Sequence, residues 1–187
     1  ISDKLEINVW ELINLANHHP RVNILQPGPG VGGHCIAVDP WFIIDSAPEE
    51  SKMIKLARLV NNQKPQFILN KINQAVVNTK KPISDLVISC YGLSFKPDID
   101  DLRESPALKI AVKISLMGFK KQYIVEPYIS ELPNDLSNQS IELVDSQEAI
   151  VLSDIVILLV DHSEFKLVHP DALIGKQVVD TRGIWSG

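Results

Sequence analysis

Residues 86–107 read LVISCYGLSFKPDIDDLRESPA, and this stretch decides the fold class. Its first seven residues form a short apolar run that ends in glycine, a pattern typical of a buried strand. After a loop, Ser105 and Pro106 are the residues expected at the N-cap and the first position of a helix. Gly118 is expected to end that helix at the C′ position. The stretch therefore predicts one strand–loop–helix unit.

The chain beyond this unit repeats the same alternation. Apolar runs predict further strands at residues 123–125, 141–144, 155–160 and 177–179, and helical stretches fit near residues 145–152 and 162–174. Strands that alternate with helices indicate an α/β fold with a parallel sheet. A Lys-Lys-Pro sequence breaks the preceding pattern at residues 80–82. We therefore expect two regions, residues 1–82 and residues 83–187.

The first of these regions is predicted to be mainly helical. Apolar residues at helical spacing predict a helix that ends near Asn17, and one or two helices over residues 48–78, which Pro65 kinks or splits. Residues 18–40 hold four prolines and four glycines and form a long loop. Loops of this length are usually functional or disordered, and this one contains too many apolar residues to be a disordered tail.

The overall composition is that of a soluble globular protein, with 45% hydrophobic residues, 22% charged residues and a mean hydropathy of +0.06. The net charge of −5 without a basic block argues against a nucleic-acid partner. No apolar run reaches the roughly 18 residues of a membrane span, and no signal peptide is visible. Two cysteines, Cys35 and Cys90, are too few for a disulfide framework. We expect a cytoplasmic protein, and the isoleucine at position 1 is consistent with an excised fragment.

The loop contains the sequence GPGVGG at residues 28–33, which satisfies the G-x-G-x-x-G pattern of a dinucleotide-binding turn. We reject that interpretation, because the motif must follow a strand and open a helix. The residues that follow, through Asp39 and Pro40, are not expected to start a helix. The alternative is a flexible glycine loop whose backbone N–H groups approach a ligand closely.

Cys35 directly follows this loop and is a candidate nucleophile, because a thiolate is reactive where positive charge or N–H dipoles stabilise it. The alternative for any cysteine is a small buried hydrophobic residue. Cys90 fits that alternative, since it lies inside an apolar strand run. Asp39 follows Cys35 by four residues, where a carboxylate orients a water or accepts its proton, or is simply a turn residue before Pro40.

Three stretches resemble the UDP-glucose/GDP-mannose dehydrogenase family. They are HPRVNILQPGPGVGGHCIAVDPWF within residues 7–43, GLSFKPDIDDLRESPA at residues 92–107, and VILLVDHSEF at residues 156–165. The resemblance is collinear and covers nearly the whole chain. The cysteine loop is most similar to the branch of the family that acts on UDP-N-acetyl-D-mannosamine.

The resemblance implies oxidation of the sugar C6 alcohol to a carboxylate with two NAD. It also implies a central helical segment that forms a homodimer, then a Rossmann-like domain that binds the UDP-sugar. NAD would be held mainly by a domain absent from this chain. Cys35 would form a thiohemiacetal and then a thioester, and Asp39 would position the hydrolytic water. The alternative is a UDP-sugar-binding and dimerisation module that performs no chemistry in this truncated form.

By the same resemblance, four loop glycines, a histidine and three cations form the substrate site: Gly28, Gly30, Gly32, Gly33, His34, Arg21, Lys96 and Arg182. Arg21 would reach the partner subunit's site, and its alternative is an exposed loop cation. Lys96 ends the first strand of the sheet, beyond which ligands bind in open α/β sheets. Arg103 would contact the NAD pyrophosphate, and its alternative is a salt bridge with Asp100, Asp101 or Glu104.

Other kinds of site are disfavoured by spacing. The acidic residues of the segment DIDD, at residues 98–101, lack the glycine and closing glutamate of a calcium loop. His18, His19 and His34 lack partners at zinc spacing, so no metal is expected. A thiol hydrolase built from Cys35 and His34 is disfavoured, because adjacent residues rarely bring thiol and imidazole into contact.

Overall fold

A five-stranded parallel sheet forms the core of the computed structural model, which describes residues 1–185. Its strands are β1 (Val87–Tyr91), β2 (Lys121–Val125), β3 (Ile141–Leu143), β4 (Ile155–Leu158) and β5 (Gln177–Asp180). The spatial order is β3-β2-β1-β4-β5, and every pairing is parallel. The α/β fold class and the parallel sheet are therefore confirmed. All five strands lie on predicted apolar runs.

The strand order reverses between β1 and β4, because the chain leaves β1 toward β2 on one side and later returns to β4 on the other. Tyr91 pairs with both Val125 and Leu158, so the loops after these three strands start at one level. In open α/β sheets, ligands bind in the crevice that such a reversal opens at the carboxyl edge. The topology therefore predicts a ligand site among the residues that follow β1, β2 and β4.

Helices cover both faces of the sheet and form the N-terminal half of the chain. They are α1 (Val9–Ala16), α2 (Asp39–Ser46), α3 (Lys52–Thr79), α4 (Pro106–Ser115) and α5 (Ser146–Leu152), with 3-10 turns at Ser2–Leu5, Ile83–Asp85, Asn134–Leu136, Ser163–Leu167 and Pro170–Leu173. The predicted cap of α4 is confirmed, since the Ser105 hydroxyl accepts the Leu108 N–H at 3.2 Å. No helix within residues 1–185 is long and apolar enough to cross a membrane.

Side chains of alternate strand residues pack on opposite faces of the sheet. Ile155 and Ile157 belong to the apolar cluster shared with α3 and α4, whereas Val156 and Leu158 pack with α5 and Phe165. Burial of both faces explains why the strands read as continuous apolar runs. Cys90 is fully buried in the first cluster, which confirms its predicted core position, and burial raises the pKa of its thiol to about 12.

Three local predictions were wrong. Asp39 and Pro40 do begin a helix, because proline in a first turn loses no hydrogen bond and an acidic side chain favours a helix N-terminus. Gly118 lies two residues beyond the cap Leu116 of α4, although its φ of +84° fits a terminating glycine. Residues 162–174 form two short 3-10 turns instead of a regular helix.

Pro65 lies inside α3, which continues through it as one helix of 28 residues. The alternative of two helices is therefore excluded. Ile68 and Ile72 of α3 are buried in the cluster that includes α4. The division at residues 82 and 83 stays a prediction.

Candidate active site

Cys35 lies on an exposed turn directly before α2. Its backbone carbonyl accepts the N–H groups of Val38 and Asp39 at 2.9 and 2.8 Å, which fixes the turn. Its Sγ lies 3.1 Å from Nδ1 of His34. The expectation that these adjacent residues do not bring thiol and imidazole together was therefore wrong. The tight turn brings the two side chains together despite their adjacency, and an imidazole nitrogen at this distance is a proton acceptor for the thiol.

The glycines of the loop allow it to pack closely against the segment that follows β1. A Cβ atom at Gly32 would lie 2.4 Å from the carbonyl oxygen of Glu104. Gly33 has a φ of +86°, and a Cβ atom there would lie 2.9 Å from the Phe95 ring. The Gly33 N–H also donates to the Arg103 carbonyl at 3.2 Å. Only glycine fits this close approach, so the spacing of the glycines reflects packing against the α/β domain.

The secondary structure on either side of residues 28–33 shows whether they can form a dinucleotide-binding turn. Residues 22–28 have no regular secondary structure, so the G-x-G-x-x-G sequence does not follow a strand. A turn over residues 33–38 separates the last glycine from α2. The strand–turn–helix context of a dinucleotide-binding motif is thus missing here, although one reason given for rejecting that motif, the lack of a helix at Asp39, was wrong.

Asn61 of α3 holds the middle of the glycine loop. Its Oδ1 accepts the Val31 N–H at 2.8 Å, and its Nδ2 donates to the Val31 carbonyl at 3.3 Å. Sequence reasoning missed this residue, because the two partners are 30 positions apart and asparagine in a helix is usually solvated. One feature of the sequence marks Asn61: it lies four residues before Pro65. Because proline has no N–H, the Asn61 carbonyl lacks its usual helical hydrogen bond.

The turn after β5 brings Arg182 to the glycine loop. The Asp180 carboxylate accepts the N–H groups of Arg182 and Gly183 at 2.8 and 2.7 Å. The Arg182 guanidinium contacts Asp161 at 2.6 Å, and both side chains are largely buried. A Cβ atom at Gly28 would lie 2.3 Å from Nη1 of Arg182. The predicted Gly28 and Arg182 are therefore direct neighbours.

Lys96 borders the same region. A narrow cleft at the carboxyl edge of the sheet is lined by residues of the glycine loop, of the loop after β1 and of the last turn, among them Gly30, Phe95, Lys96, Pro106 and Arg182. Lys96 is exposed, and its carbonyl accepts the Ser94 hydroxyl at 2.7 Å. The structure thus brings together cations and glycines that are more than 60 residues apart in the chain.

Arg103 forms the contact that sequence analysis gave as its alternative. Its Nε and Nη2 donate to the Asp101 carboxylate at 2.9 and 2.6 Å. These hydrogen bonds from Arg103 lower the pKa of Asp101 to about 2 and raise the pKa of Arg103. The same pair lies close enough to the cysteine turn for Arg103 to interact with Cys35 and for Asp101 to interact with His34. The cysteine turn therefore lies beside an Arg103–Asp101 ion pair.

The remaining predicted residues are less constrained. Asp39 is exposed in the first turn of α2, one turn from Cys35. Arg21 is exposed, and no hydrogen bond or ion pair of its guanidinium is found within residues 1–185. The structure does not bring Arg21 to the other candidates.

A buried glutamate–histidine pair, which sequence analysis missed, fixes the loop that carries Lys96. Glu126 directly follows β2, His162 lies four residues after the end of β4, and both side chains are fully buried. The Asp98 N–H donates to His162 Nδ1 at 2.8 Å, so His162 Nε2 carries the proton that it shares with Glu126 at 3.1 Å. Glu126 also accepts the N–H groups of Leu93 and Ser94 at 2.7 and 3.2 Å. In the sequence, the only indication of this pair is that Glu126 directly follows the apolar run of residues 123–125.

Asp98 and Asp101 serve as turn and capping residues. Asp98 accepts the Ser163 N–H and hydroxyl at 2.8 and 2.6 Å, and these bonds lower the pKa of its carboxyl. Asp101 accepts the backbone N–H of Arg103 at 2.9 Å.

Comparison with known proteins matches both halves of the chain. The central domain of the UDP-glucose/GDP-mannose dehydrogenase family matches residues 1–63, and the UDP binding domain of that family matches residues 89–187. NDP-N-acetyl-D-galactosaminuronic acid dehydrogenase of Ralstonia nicotianae is 53% identical over all of this chain and 43% of its own length. UDP-N-acetyl-D-mannosamine dehydrogenase of Escherichia coli is 50% identical over 96% of this chain and 43% of its own length.

Solved structures of dehydrogenases also align with nearly all of this chain. The UDP-D-ManNAc dehydrogenase of Pyrococcus horikoshii aligns with a TM-score of 0.81 at 31% identity, covering 97% of this chain and 42% of that one. The UDP-N-acetyl-mannosamine dehydrogenase Cap5O of Staphylococcus aureus aligns with a TM-score of 0.75 at 34% identity, covering 100% and 41%. The chain thus spans about two fifths of the length of the relatives it matches.

Proposed function

Because the chain belongs to the UDP-glucose/GDP-mannose dehydrogenase family, we propose that it is the catalytic-cysteine and substrate-binding portion of an NAD-dependent UDP-sugar 6-dehydrogenase. The observation that carries this proposal is the exposed Cys35 thiol, 3.1 Å from His34, on a glycine loop packed against the carboxyl edge of a parallel sheet. The proposed substrate is UDP-N-acetyl-D-mannosamine and the product is its uronate. The 50% identity to a dehydrogenase of that sugar supports this choice.

In the proposed mechanism, Cys35 acts on the C6 aldehyde produced by the first oxidation. Sγ bonds to C6 as the C6–O π bond breaks, and His34 Nδ1 takes the thiol proton and passes it to the carbonyl oxygen, which becomes the hydroxyl of a thiohemiacetal. The second oxidation converts this to a thioester. Asp39, one turn away, positions the water that releases the carboxylate and restores the thiol.

NAD, when bound, would accept a hydride from C6 in each of the two oxidations. Residues 1–185 do not offer a complete dinucleotide site, because the glycine sequence lacks its strand and helix. The Glu126 carboxylate, at the end of β2, is used by backbone N–H groups and His162. We therefore propose that NAD binds mainly to a domain outside this chain, with Arg103 contacting its pyrophosphate across the interface.

The UDP moiety is proposed to bind at the carboxyl edge of the sheet. Lys96 supplies positive charge there, Arg182 offers guanidinium N–H donors, and Gly28 and Gly30 let the glycine loop pack closely against Arg182 and Pro106 beside the cleft. His34 and Gly32 are proposed to border the hexose beside Cys35. A homodimer formed through the central helices, with Arg21 reaching the partner subunit's site, completes the proposal. The exposed apolar side chains Leu12, Leu15, Met53, Leu56 and Val60 of α1 and α3 support such an interface.

UDP is expected to stabilise this chain against thermal unfolding, by about 2.7 kcal/mol at a concentration one hundred times its Kd. Lys96→Met should weaken this stabilisation, because it removes a cation beside the cleft. Lys166→Met, which removes an exposed lysine from the 3-10 turn Ser163–Leu167, is the matched control and should respond as the wild type does. Differential scanning fluorimetry measures all three. No shift at millimolar UDP would contradict a formed nucleotide site.

A second sugar is favoured by one observation, the 53% identity to NDP-N-acetyl-D-galactosaminuronic acid dehydrogenase. Initial rates of NADH formation by the full-length enzyme separate the candidates. We expect a higher kcat/KM with UDP-N-acetyl-D-mannosamine than with UDP-N-acetyl-D-galactosamine. The opposite order would replace the proposed substrate while leaving the reaction type unchanged.

A further inference from the structure

A groove of about 610 Å³ lies between α3, α4 and the cysteine loop. Its lining includes Trp41, Arg58, Asn61, Asn62, Lys109 and Lys113. The volume is that of a small-molecule site. Nothing in the proposed reaction uses this groove, although Pro106 separates it from the cleft at the carboxyl edge of the sheet.

Arg58 is buried in this groove without a counter-charge. Only 8% of its surface is exposed, and its Nε is buried without a hydrogen-bond partner. Within residues 1–185, the one hydrogen bond of its guanidinium is a long one of 3.4 Å from Nη2 to Oδ1 of Asn62. No carboxylate in that part of the chain lies within ion-pairing distance of it. Arginine does not lose its proton in proteins, and an unpaired buried charge is strongly unfavourable, so an acceptor is missing.

The surroundings of Arg58 favour an anion as that acceptor. Lys109 and Lys113 line the groove from one face of α4, where they are four residues apart. Lys109 is paired with Glu104, whereas no ion pair of Lys113 occurs among the residues that the structure describes. The N-terminus of α4 also borders the groove, and its dipole adds positive potential. Three cations thus face two carboxylates, those of Glu104 and Asp135.

We propose that this groove binds a phosphate-bearing anion through Arg58, with Lys113 and the start of α4 as additional positive charge. The planar guanidinium matches phosphate oxygens with parallel N–H donors, and within residues 1–185 its only hydrogen bond is the long one to Asn62. The groove is larger than inorganic phosphate, so the natural ligand class is a phosphate or diphosphate ester. The proposal goes beyond the nucleotide-sugar site and does not depend on it.

Two substitutions test the role of Arg58 with inorganic pyrophosphate as the probe. Arg58→Met removes the charge and keeps the apolar stem. Asn62→Asp places a carboxylate at the position of the existing 3.4 Å contact and supplies the missing counter-charge internally. Without the probe, we expect neither variant to melt below the wild type, because Arg58→Met removes the unpaired buried charge and Asn62→Asp pairs it. By calorimetry, both should bind pyrophosphate at least about tenfold more weakly.

Lys166→Met, which removes an exposed lysine from the 3-10 turn Ser163–Leu167, is the control and should bind the probe as the wild type does. Samples with potassium chloride at the same ionic strength as the pyrophosphate samples show how much of any effect comes from general charge screening. UDP serves as a second ligand, and both variants should bind UDP as the wild type does. Loss of pyrophosphate binding therefore tests the groove, whereas loss of UDP binding tests the proposed nucleotide-sugar site.

Three results would overturn the proposal. The first is wild-type protein that shows no saturable pyrophosphate binding up to about 10 mM. The second is an affinity of Arg58→Met within about threefold of the wild type. The third, which decides the matter if Arg58→Met does not fold, is an affinity of Asn62→Asp within that same range.

Discussion

Replacing Cys35 with alanine is expected to lower turnover of the full-length enzyme by roughly 10³-fold or more, since it removes the nucleophile of the second oxidation. The alanine is accommodated without structural change, because the Cys35 side chain is exposed and its backbone carbonyl keeps the bonds from Val38 and Asp39. The melting temperature should therefore stay close to that of the wild type. NADH formation with UDP-N-acetyl-D-mannosamine measures the loss.

Cys90→Ala is the matched control for the other cysteine. Its thiol is fully buried in the core under the sheet, so the variant should lose stability but keep its kcat when folded. A Cys35→Ala enzyme that still forms the uronate at more than a few per cent of the wild-type rate would exclude Cys35 as the nucleophile. Equal losses in both variants would instead indicate a general folding defect.

Replacing Glu126 with alanine is expected to destabilise the protein by about 3–5 kcal/mol, because each buried donor left without its acceptor costs about 1–3 kcal/mol. The variant leaves the N–H groups of Leu93 and Ser94 and the Nε2 of His162 without their acceptor. Urea unfolding followed by circular dichroism measures the change. Glu142→Ala is the control, because Glu142 forms an exposed pair with Lys121 at 2.9 Å and should change stability by less than about 1 kcal/mol.

The same carboxylate predicts an acid-sensitive step. Burial raises the pKa of Glu126, but the hydrogen bonds from His162 and the Leu93 N–H outweigh it and hold the pKa below its ordinary value of 4.5. The folded-state pKa is thus below the unfolded one, so this contribution is present above about pH 4.5 and is lost as the pH falls through the folded-state pKa. Glu126→Gln should flatten the fall in stability in that range. An unchanged slope would contradict a charged Glu126.

Sheet strands were predictable from sequence, because burial on both faces makes runs such as residues 155–160 continuously apolar. The α4 cap was predictable too, because the requirements of a helix N-terminus are local. The start of α2 was not, since Asp-Pro serves equally in a turn and in a first helical turn. Local sequence therefore identifies a secondary-structure element when the residues are compatible with only one local structure. It fails when the same residues fit two local structures equally well.

The candidate site was predictable only in part. The cysteine and its glycines were found because their residue types are specific to close approach and nucleophilic chemistry. Asn61 and Arg58 were missed because their roles come from contacts and burial that depend on how α3 docks. Glu126 and His162 are 36 residues apart and meet only when β2 and β4 lie on either side of β1. Long-range pairs of this kind require the topology first.

The central claim is that Cys35 bonds covalently to C6 of the sugar, and peptide mapping of the acid-quenched full-length enzyme tests it most directly. The enzyme is mixed with NAD and UDP-N-acetyl-D-mannosamine, quenched during the first turnover and digested. The account predicts a nucleotide-sugar mass on the peptide that contains Cys35, and none on the peptide that contains Cys90. Turnover without such an adduct, or an adduct on Cys90, would contradict it.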